Sequence, residues 1–338
     1  MGTVKIIAKY DLNTNKWRKN IKEEEKGKAF SIVNYKKINN NDSDKYDYII
    51  FCDGFRLENH SKNMKTVEES KNGVDKIINY FKDKDKNIKI KTILIDMDAP
   101  LEEDSKLLAN YINKIEDANT INIVGISKCG AMAFNMAKYI NDKDKTNIYT
   151  IATPFTGTLM ASPRYVKQKL NKIVKSIISD ENISNKIVKS VMRIYENICS
   201  NSHMDYDVAL KNGVEKSRLN KYDSNFLKNI FSNENIKAIN EVNFYQNFTT
   251  GIDNETLIEA IQTLNFEGIG LCLLNGLLMG GKTDGFVPLK SEKEVEKYIN
   301  KKSFHLKSSH HAVFSNDRLA YQILKIINEN LKKYNKVI

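Results

Sequence analysis

The sequence is poor in the residues that mark several classes of protein. It has only four cysteines and four prolines in 338 residues. The cysteines lie far apart and form no CxxC pair (Cys52, Cys129, Cys199 and Cys272). This spacing argues against a disulfide framework and against a zinc site, and it predicts free thiols in a reducing compartment. No other spacing of His, Cys and carboxylate residues suggests metal binding.

Long apolar runs are missing as well. The first ten residues lack the apolar stretch of a signal peptide. The longest apolar run, residues 268–281, is interrupted by Asn275 and is too short to cross a bilayer. The motifs GxGxxG and GxxxxGK(S/T) are absent, so no nucleotide cofactor is implied. We therefore expect a cytoplasmic protein that uses no cofactor and no metal.

The net charge of +11 raises the question of a polyanionic partner. The lysines are spread along the chain, with no RGG-like tract and no alternation of aromatic and basic residues. This pattern does not favour nucleic acid as the partner. Diffuse positive charge is enough for attraction to an anionic membrane surface, and we expect a transient contact of that kind.

Short apolar segments alternate with amphipathic segments along the first half of the chain. Such alternation predicts an α/β fold, with a mostly parallel sheet and helices on both faces. In such a sheet the reacting groups lie beyond the carboxyl ends of the strands. Strands are predicted at 4–10, 29–35, 46–52, 91–96, 121–125 and 147–152, and helices at 67–81, 104–115 and 128–140.

The alternation breaks after residue 157. Segments 166–178 and 183–198 each carry one apolar helical face, and polar and aromatic segments follow to about residue 241. We predict a mainly helical cap or lid at 158–241, inserted into a core formed by 1–157 and 242–338. The cap is expected to pack its apolar faces on the core, and we hypothesise that its underside lines an acyl-binding pocket. A returning strand at 242–250 and a terminal helix at 319–331 complete the predicted core.

A strand, a sharp turn and a helix meet at Ser127. The β-branched run ends at Gly125, which permits a tight turn because it has no Cβ. This order would hold a serine hydroxyl clear of the sheet edge, as a nucleophile requires. Serine is also a favoured helix N-cap, so the same position fits a purely structural role.

Four motifs, in order along the chain, resemble those of the α/β-hydrolase superfamily and most of all its lipase/esterase branch. Gly125-Ile-Ser-Lys-Cys-Gly130 resembles the nucleophile elbow, and residues 150–158 resemble the strand and T-P-x-x-G loop that follow it. Residues 281–291 resemble the D-G-x-V-P-x-x-S segment that carries the triad acid. Residues 308–314 resemble the histidine loop before the last helix. The resemblance covers roughly 1–157 and 242–338.

This resemblance implies a triad in the chain order Ser, Asp, His. Ser127 would be the nucleophile, and Asp284 would orient the histidine. The base would be His310, whose following Ala-Val-Phe sequence fits the loop, with His311 as the alternate. Asp253, which follows a predicted strand, competes for the role of the acid.

The resemblance also implies an oxyanion hole formed by the backbone N–H groups of Phe55 and Lys128. Two positions depart from the family pattern. Cys129 replaces the second glycine of G-x-S-x-G, and Asp53-Gly-Phe replaces the usual His-Gly-x loop. Asp284-Gly is a strong turn signal in its own right, so a turn without a chemical role also fits that pair.

The implied function is that of a serine hydrolase which cleaves a carboxylic ester or thioester through an acyl-enzyme. The apolar cap faces and the apolar segment 268–281 favour a lipid or another acylated substrate over a sugar or peptide. An acyltransferase would use the same triad. A degenerate hydrolase fold that acts as a binding or signalling module is the other alternative, and the departures at Asp53 and Cys129 support it.

Overall fold

A seven-stranded sheet forms the centre of the fold. We analysed a computed structural model of the chain. It describes residues 8–11, 16–19, 31–38, 44–53, 79–80, 87–94, 101–158, 161, 163–199, 226–249, 278, 282–284, 287–299, 303–306 and 324–329.

Nine strands are described. They are β1 (Ala8–Asp11), β2 (Lys16–Lys19), β3 (Ser31–Ile38), β4 (Tyr46–Asp53), β5 (Ile88–Leu94), β6 (Ala118–Ile126), β7 (Thr146–Ile151), β8 (Asn243–Thr249) and β9 (Ser303–Leu306). The main sheet has the order β3-β5-β4-β6-β7-β8-β9. Strand β3 is antiparallel to β5, and every other pairing in this sheet is parallel.

The described helices are α1 (Leu101–Ile112), α2 (Lys128–Met136), α3 (Pro163–Ile177), α4 (Glu181–Cys199), α5 (Phe226–Asn229), α6 (Asn233–Glu241) and α7 (Leu289–Glu292). Single 3₁₀ turns follow α2 at Ala137–Tyr139 and α7 at Lys293–Lys297. Residues 324–329 are also helical. The predicted α/β class, with a mostly parallel sheet and helices on both faces, is confirmed.

Both faces of the sheet are covered. Ile50 and Ile123 join the apolar cluster under α1, α2 and α6, while their chain neighbours Ile49 and Val124 join a second cluster with residues of the 324–329 helix. All four side chains are fully buried. Successive residues of a strand point to opposite faces, so continuous burial requires cover on each side. The uninterrupted apolar stretches 49–52 of β4 and 123–126 of β6 follow from this cover.

A small hairpin near the N-terminus was not predicted. Strands β1 and β2 pair antiparallel with each other as a separate two-stranded sheet. The sequence of β2 is Lys-Trp-Arg-Lys, which has three basic residues and no apolar alternation, so it gives no strand signal.

Several boundaries differ from those predicted. Strand β5 begins at Ile88 rather than 91, and α1 spans 101–112 rather than 104–115. The helix starts directly after Pro100, and Leu101 is fully buried. The acidic and serine residues at 104 and 105 suggested a later start, but they lie inside the first turns.

Helices α3 and α4 cover the two helical segments predicted at 166–178 and 183–198, and they pack together as a helical hairpin. Their contact is made by a separate small cluster of buried apolar side chains, to which Leu278 belongs: Val166, Leu170, Val188, Met192 and Leu278. Side chains of α5 and α6, such as Phe226 and Ile239, instead belong to the main cluster against the sheet. Residues 200–225 lie outside the described part, so the cap boundaries at 158 and 241 stay a prediction.

Two further sequence predictions concern the cysteines and the membrane-spanning segments. Cys52 and Cys129 are buried, and neither forms a disulfide among the described residues. Within the described ranges, no helix combines the length and the apolar character needed to cross a bilayer.

Candidate active site

Ser127 occupies a strained turn between β6 and α2. Its backbone angles are φ 54° and ψ −126°. A left-handed φ costs a residue with a Cβ about 1–3 kcal/mol, and such strain is concentrated at functional sites. The turn is held because the Ser127 N–H donates to the Ile151 carbonyl at 2.8 Å and the Ser127 carbonyl accepts from Gly130 N–H at 2.9 Å.

The side chain of Ser127 does not cap α2. No hydrogen bond joins its hydroxyl to the first turn of the helix, although the residue stands at the N-cap position. Because a capping serine normally accepts a bond from a backbone N–H of that turn, the purely structural role is not fulfilled here. The residue is also partly exposed, in contrast to the fully buried helix that follows it.

Two glycines let the turn close. A Cβ on Gly125 would lie 2.5 Å from the Cys129 carbonyl oxygen, and one on Gly130 would lie 1.8 Å from Thr153 Oγ1. Both distances are far below van der Waals contact, so α2 can approach β6 and the loop after β7 only where side chains are missing. Cys129 is fully buried in the same packed region, which therefore accommodates the departure from G-x-S-x-G.

One of the two predicted oxyanion donors is described. Lys128 is the first residue of α2, where a backbone N–H has no acceptor inside the helix and lies at the positive end of the helix dipole. Phe55, the other predicted donor, lies outside the described residues. It follows β4, which ends at Asp53 beside β6, with Cys52 paired to Gly125.

Asp284 has contacts through both of its carboxylate oxygens. Thr283 and Pro288 form an antiparallel bridge, and the Val287 N–H donates to Asp284 Oδ1 at 2.7 Å. Gly285, the second residue of the predicted Asp-Gly turn, lies outside the described residues. Thr249 Oγ1 donates to the second carboxylate oxygen, Oδ2, at 2.7 Å. This bond places Asp284 at the carboxyl end of β8.

A second acid, Glu292, contacts the same threonine. Its Oε2 accepts from the Thr249 N–H at 2.9 Å, and its Oε1 lies 3.5 Å from Thr249 Oγ1. Asp284 and Glu292 are 1% and 0% exposed. Burial, followed by the charge of Asp284, raises the pKa of Glu292 well above its ordinary value, although hydrogen bonds from Thr249 act in the opposite direction.

The second and third motifs are joined by one hydroxyl. Ser291 Oγ donates to the Gly157 carbonyl at 2.8 Å and accepts from the Thr156 N–H at 2.9 Å. Gly157 has a φ of 97°, which a residue with a side chain would adopt only under strain. The loop after β7 is thus fastened both to α2, through Gly130 and Thr153, and to the segment that carries Asp284.

The predicted histidines lie outside the described residues. Strand β9 ends at Leu306, whose pairing partner in the parallel strand β8 is Thr249. His310 follows Leu306 by four residues and His311 by five. Because Thr249 also bonds Asp284, the end of β9 lies at the same edge of the sheet as Asp284. Asp253, the competing acid, is also outside the described part.

These positions share one edge of the sheet. Ser127 follows β6, Asp284 is bonded to the end of β8, and one strand, β7, separates the two. Strands lie about 4.8 Å apart, so β6 and β8 are about 10 Å from each other. Among the other histidines, His305 is described and is exposed on β9.

A cavity in the described region lies elsewhere. It has a volume of about 380 Å³ and is lined in part by Tyr48, Lys91, Tyr111 and Asp117. Tyr48 lies near the start of β4, and its pairing partner in β6 is Ile121, six residues before Ser127. Burial and the hydrogen bond to Asp117 raise the pKa of the Tyr48 hydroxyl. This cavity is not part of the site at the carboxyl edge.

Sequence reasoning missed Thr249 and Glu292. Glu292 follows the motif serine directly, in the charged run Ser291-Glu-Lys-Glu, which is typical of an exposed helix. Thr249 closes a strand without any motif around it. No group of three or more potential metal ligands of the His, Cys, Asp or Glu type occurs within the described residues.

The comparisons with known proteins found similarity in structure but not in sequence. No protein-family model matches the chain, and no curated protein matches it. Among solved structures, a variant of a meta-cleavage product hydrolase is 10% identical, with a TM-score of 0.44, over 89% of this chain and 94% of the other. Est1E from Butyrivibrio proteoclasticus is 10% identical, with a TM-score of 0.42, over 91% and 94% of the two chains. A lipase-esterase related protein from Clostridium acetobutylicum is 11% identical, with a TM-score of 0.35, over 89% and 98%.

The fold is defined by the topology of the chain itself. A central strand runs through a strained serine turn into a buried helix, and parallel strands flank it on both sides. The four motifs occur in the order expected from their resemblance to known hydrolases. The strand order, the antiparallel strand β3 and the turn at Ser127 together give this chain the α/β-hydrolase fold.

Proposed function

We propose that the protein is a serine hydrolase that cleaves a carboxylic ester or thioester. In this proposal Ser127 Oγ attacks the acyl carbonyl, and His310 removes the hydroxyl proton, with His311 as the alternate base. A serine hydroxyl is a weak nucleophile until a base takes its proton. Asp284 holds the imidazole in the required tautomer and stabilises its charged form.

The backbone N–H groups of Lys128 and Phe55 are proposed to bind the oxyanion of the tetrahedral intermediate. As the intermediate collapses, the ester or thioester bond breaks, and the protonated histidine gives its proton to the departing alcohol or thiol, which leaves Ser127 acylated. Water, with the same histidine as base, then attacks the acyl-enzyme, and the bond to Ser127 Oγ breaks to release the carboxylic acid and restore the serine hydroxyl. Losing one such donor typically costs about 3–4 kcal/mol of transition-state stabilisation. Both donors are main-chain groups, so the side chains at 55 and 128 are free to differ from those of other hydrolases.

The backbone at Ser127 is the observation that carries this proposal. The residue has a left-handed φ, lacks the capping bond that would explain a serine there, and precedes a helix whose first N–H groups are directed towards its end of the sheet. A structural serine gains nothing from the strain. A nucleophile gains a hydroxyl that stands clear of the sheet.

Labelling with a fluorophosphonate probe tests the assignment. Wild-type protein is expected to be modified at Ser127, as mapped by mass spectrometry of peptides. The variant Ser127→Ala should lose both the label and the hydrolysis of p-nitrophenyl butyrate. Ser303→Ala, which changes an exposed serine bonded to Glu296, is the matched control and should retain both.

Three results would contradict parts of this proposal. A label on another residue would overturn the choice of Ser127. The absence of any label or turnover would favour a binding module built on a hydrolase fold. Transfer of the acyl group to an added alcohol, in preference to water, would identify an acyltransferase instead.

We also propose that the helical hairpin of α3 and α4 contacts an anionic membrane surface, from which an acylated substrate would be taken. Ile177 and Ile183 are 76% and 49% exposed at the tip of the hairpin. Residues 163–193 contain eight lysines and arginines but only two acids, Asp180 and Glu181. The two acids lie at the tip, and the basic residues lie along both helices behind it. Exposed apolar side chains next to a basic hairpin fit an anionic lipid surface.

Co-sedimentation with vesicles tests this contact. The protein should bind vesicles that contain phosphatidylserine more tightly than vesicles of phosphatidylcholine alone. Ile177→Ser and Lys186→Glu should each weaken binding, whereas Lys297→Glu, an exposed lysine outside the hairpin, should not. Equal binding to both kinds of vesicle, or equal effects of the two lysine variants, would refute the proposal.

A further inference from the structure

Two buried acids converge on a single hydroxyl group at the carboxyl end of β8. Thr249 Oγ1 lies 2.7 Å from Asp284 Oδ2 and 3.5 Å from Glu292 Oε1. Each acid also accepts one backbone N–H, from Val287 at 2.7 Å and from Thr249 at 2.9 Å.

The number of hydrogens around Thr249 Oγ1 constrains the protonation of the pair. A threonine hydroxyl has one hydrogen, and the shorter contact assigns it to Asp284. The contact with Glu292, at 3.5 Å, is longer than an ordinary O–H···O hydrogen bond, and it can tighten into one only if Glu292 supplies a hydrogen of its own. If both acids were ionised, two carboxylate oxygens would compete for one hydrogen in a site from which water is excluded.

The charges around Glu292 also favour a protonated acid in this pair. Asp284 is the one ionisable group in the described part of the chain that acts on Glu292 through its charge, and it repels a second negative charge. Glu292 has no ion pair with a lysine or arginine among the described residues. Like charges that share a buried site cannot both ionise at ordinary cost, so one of the two acids retains its proton.

We propose that Glu292 is the acid that stays protonated and that it positions Asp284 through Thr249. The Glu292 O–H donates to the Thr249 hydroxyl, which in turn donates to Asp284. Such a chain of hydrogen bonds polarises towards the carboxylate and favours its charged form. The pair then carries one negative charge, held on Asp284. The catalytic part of this inference rests on the proposed triad, in which Asp284 must be charged to stabilise an imidazolium.

Infrared spectroscopy tests the protonation without reference to activity. The difference spectrum between wild type and Glu292→Gln at pH 7 should show the loss of the carbonyl band of a protonated carboxylic acid. The loss of a carboxylate band instead would show that Glu292 is ionised and would overturn the proposal.

Kinetics of p-nitrophenyl butyrate hydrolysis test the positioning role. Glutamine at 292 keeps one acceptor and one donor, the pattern of a neutral acid, so Glu292→Gln should keep kcat/KM within about threefold. The acid limb of the pH profile of kcat/KM should have the same midpoint in Glu292→Gln as in wild type, because no charge has been removed. Glu292→Leu, which has neither group, should lower kcat about 10- to 100-fold, the range of a hydrogen bond that supports a charged group.

Thr249 supplies a second pair of variants that does not depend on whether Glu292→Leu folds. Thr249→Ser keeps the hydroxyl and should retain activity close to wild type. Thr249→Val removes only the hydroxyl and should lower kcat about 10- to 100-fold while changing KM little. Equal activity of the two variants would overturn the positioning role.

The outcomes separate this inference from the proposed function. If Ser127 is not the nucleophile, no variant will show Ser127-dependent turnover, but the infrared result still decides whether Glu292 is protonated. If Ser127 is the nucleophile and Glu292→Gln shifts the acid limb to lower pH, a negative charge has been removed near the histidine. That shift would refute a neutral Glu292 and leave the triad intact.

Discussion

Backbone strain is localised at the proposed nucleophile. Ser127 and Ala152 are the residues with a side chain that adopt a positive φ within the described ranges, and they lie at the ends of the neighbouring strands β6 and β7. The strain at Ser127 is maintained by its neighbours, through the bonds to Ile151 and Gly130. Such strain lowers the stability of the fold, and it fixes the position of the serine side chain.

We expect Ser127→Gly to raise the free energy of unfolding by about 1 kcal/mol, because glycine adopts this φ without strain. The greater conformational entropy of glycine in the unfolded chain offsets part of this gain. Ser127→Ala keeps the Cβ and should give no such increase. Urea denaturation of both variants beside wild type measures the difference. Equal stabilities of the two variants would show that the turn is not strained.

The titration of Glu292 should appear in the stability of the protein. The pKa of Glu292 in the folded chain lies above its ordinary value of 4.5, so the folded state keeps a proton that the unfolded state releases as the pH rises above 4.5. The stability that protonated Glu292 contributes is fully present below pH 4.5. It is lost as the pH rises through the raised pKa of Glu292 in the folded state. Within this window the stability falls by at most about 1.4 kcal/mol per pH unit.

Glu292→Gln does not titrate and should escape this loss. Its free energy of unfolding relative to wild type is therefore expected to increase as the pH rises from 5 to 7. Glu296→Gln, an exposed position on the same segment, serves as the control and should follow wild type. Parallel curves for wild type and Glu292→Gln would contradict the raised pKa.

At the scale of elements, the position of α2 depends on close approach. The helix is buried along its whole length, and Gly130 lies directly against Thr153 in the loop after β7. Phe134, on the same helix, makes edge-on contacts with Phe155 and Phe244. Small shifts of α2 would therefore move the Ser127 turn relative to the sheet.

A side chain at position 130 should separate these elements. Gly130→Ala is expected to lower the free energy of unfolding by about 2–3 kcal/mol, as overpacking of a tight contact does. Thr153→Ala removes the nearest atom, Oγ1, so the double variant should recover part of the loss. A double-mutant cycle by urea denaturation measures the coupling, and simple additivity would show that the clash is relieved elsewhere.

At the scale of the whole molecule, two buried thiols report on global opening. Cys52 in β4 and Cys129 in α2 are fully buried, on elements that pack together in the main core. A thiol reagent can reach them only when the sheet and its helices separate. Their reaction should therefore be slow in the native state and accelerate with denaturant.

The measurement requires a background of Cys199→Ser and Cys272→Ser, so that only these two thiols react. The labelling rate should then rise with urea in parallel with the unfolding transition. Fast labelling without denaturant would show that the core opens locally around α2.

Much of this fold could be predicted from local sequence. Strands β4, β6 and β7 are short apolar runs bounded by polar residues, and the serine turn follows from Gly125 and the order of strand and helix. These signals lie within a few residues of each other. The basic hairpin strand β2 has no such signal and was missed.

The candidate site depends on contacts between distant parts of the chain, which the sequence does not display. Thr249 and Asp284 are 35 residues apart, and Thr249 and Glu292 are 43 apart. Glu292 sits among charged neighbours and looks exposed, yet it is fully buried. Its burial follows from the position of α7 against the end of β8, and only the tertiary structure gives that position.

The hydroxyl of Ser291 has a consequence for the order in which the protein matures during synthesis. It fastens a loop near residue 157 to a segment made more than 130 residues later. When the ribosome has released α2, the proposed nucleophile exists, but the acid and its anchoring serine have not been translated. An incomplete chain would thus hold a serine without its proposed partners, and the proposed hydrolytic activity would arise only when the last third of the polypeptide has docked.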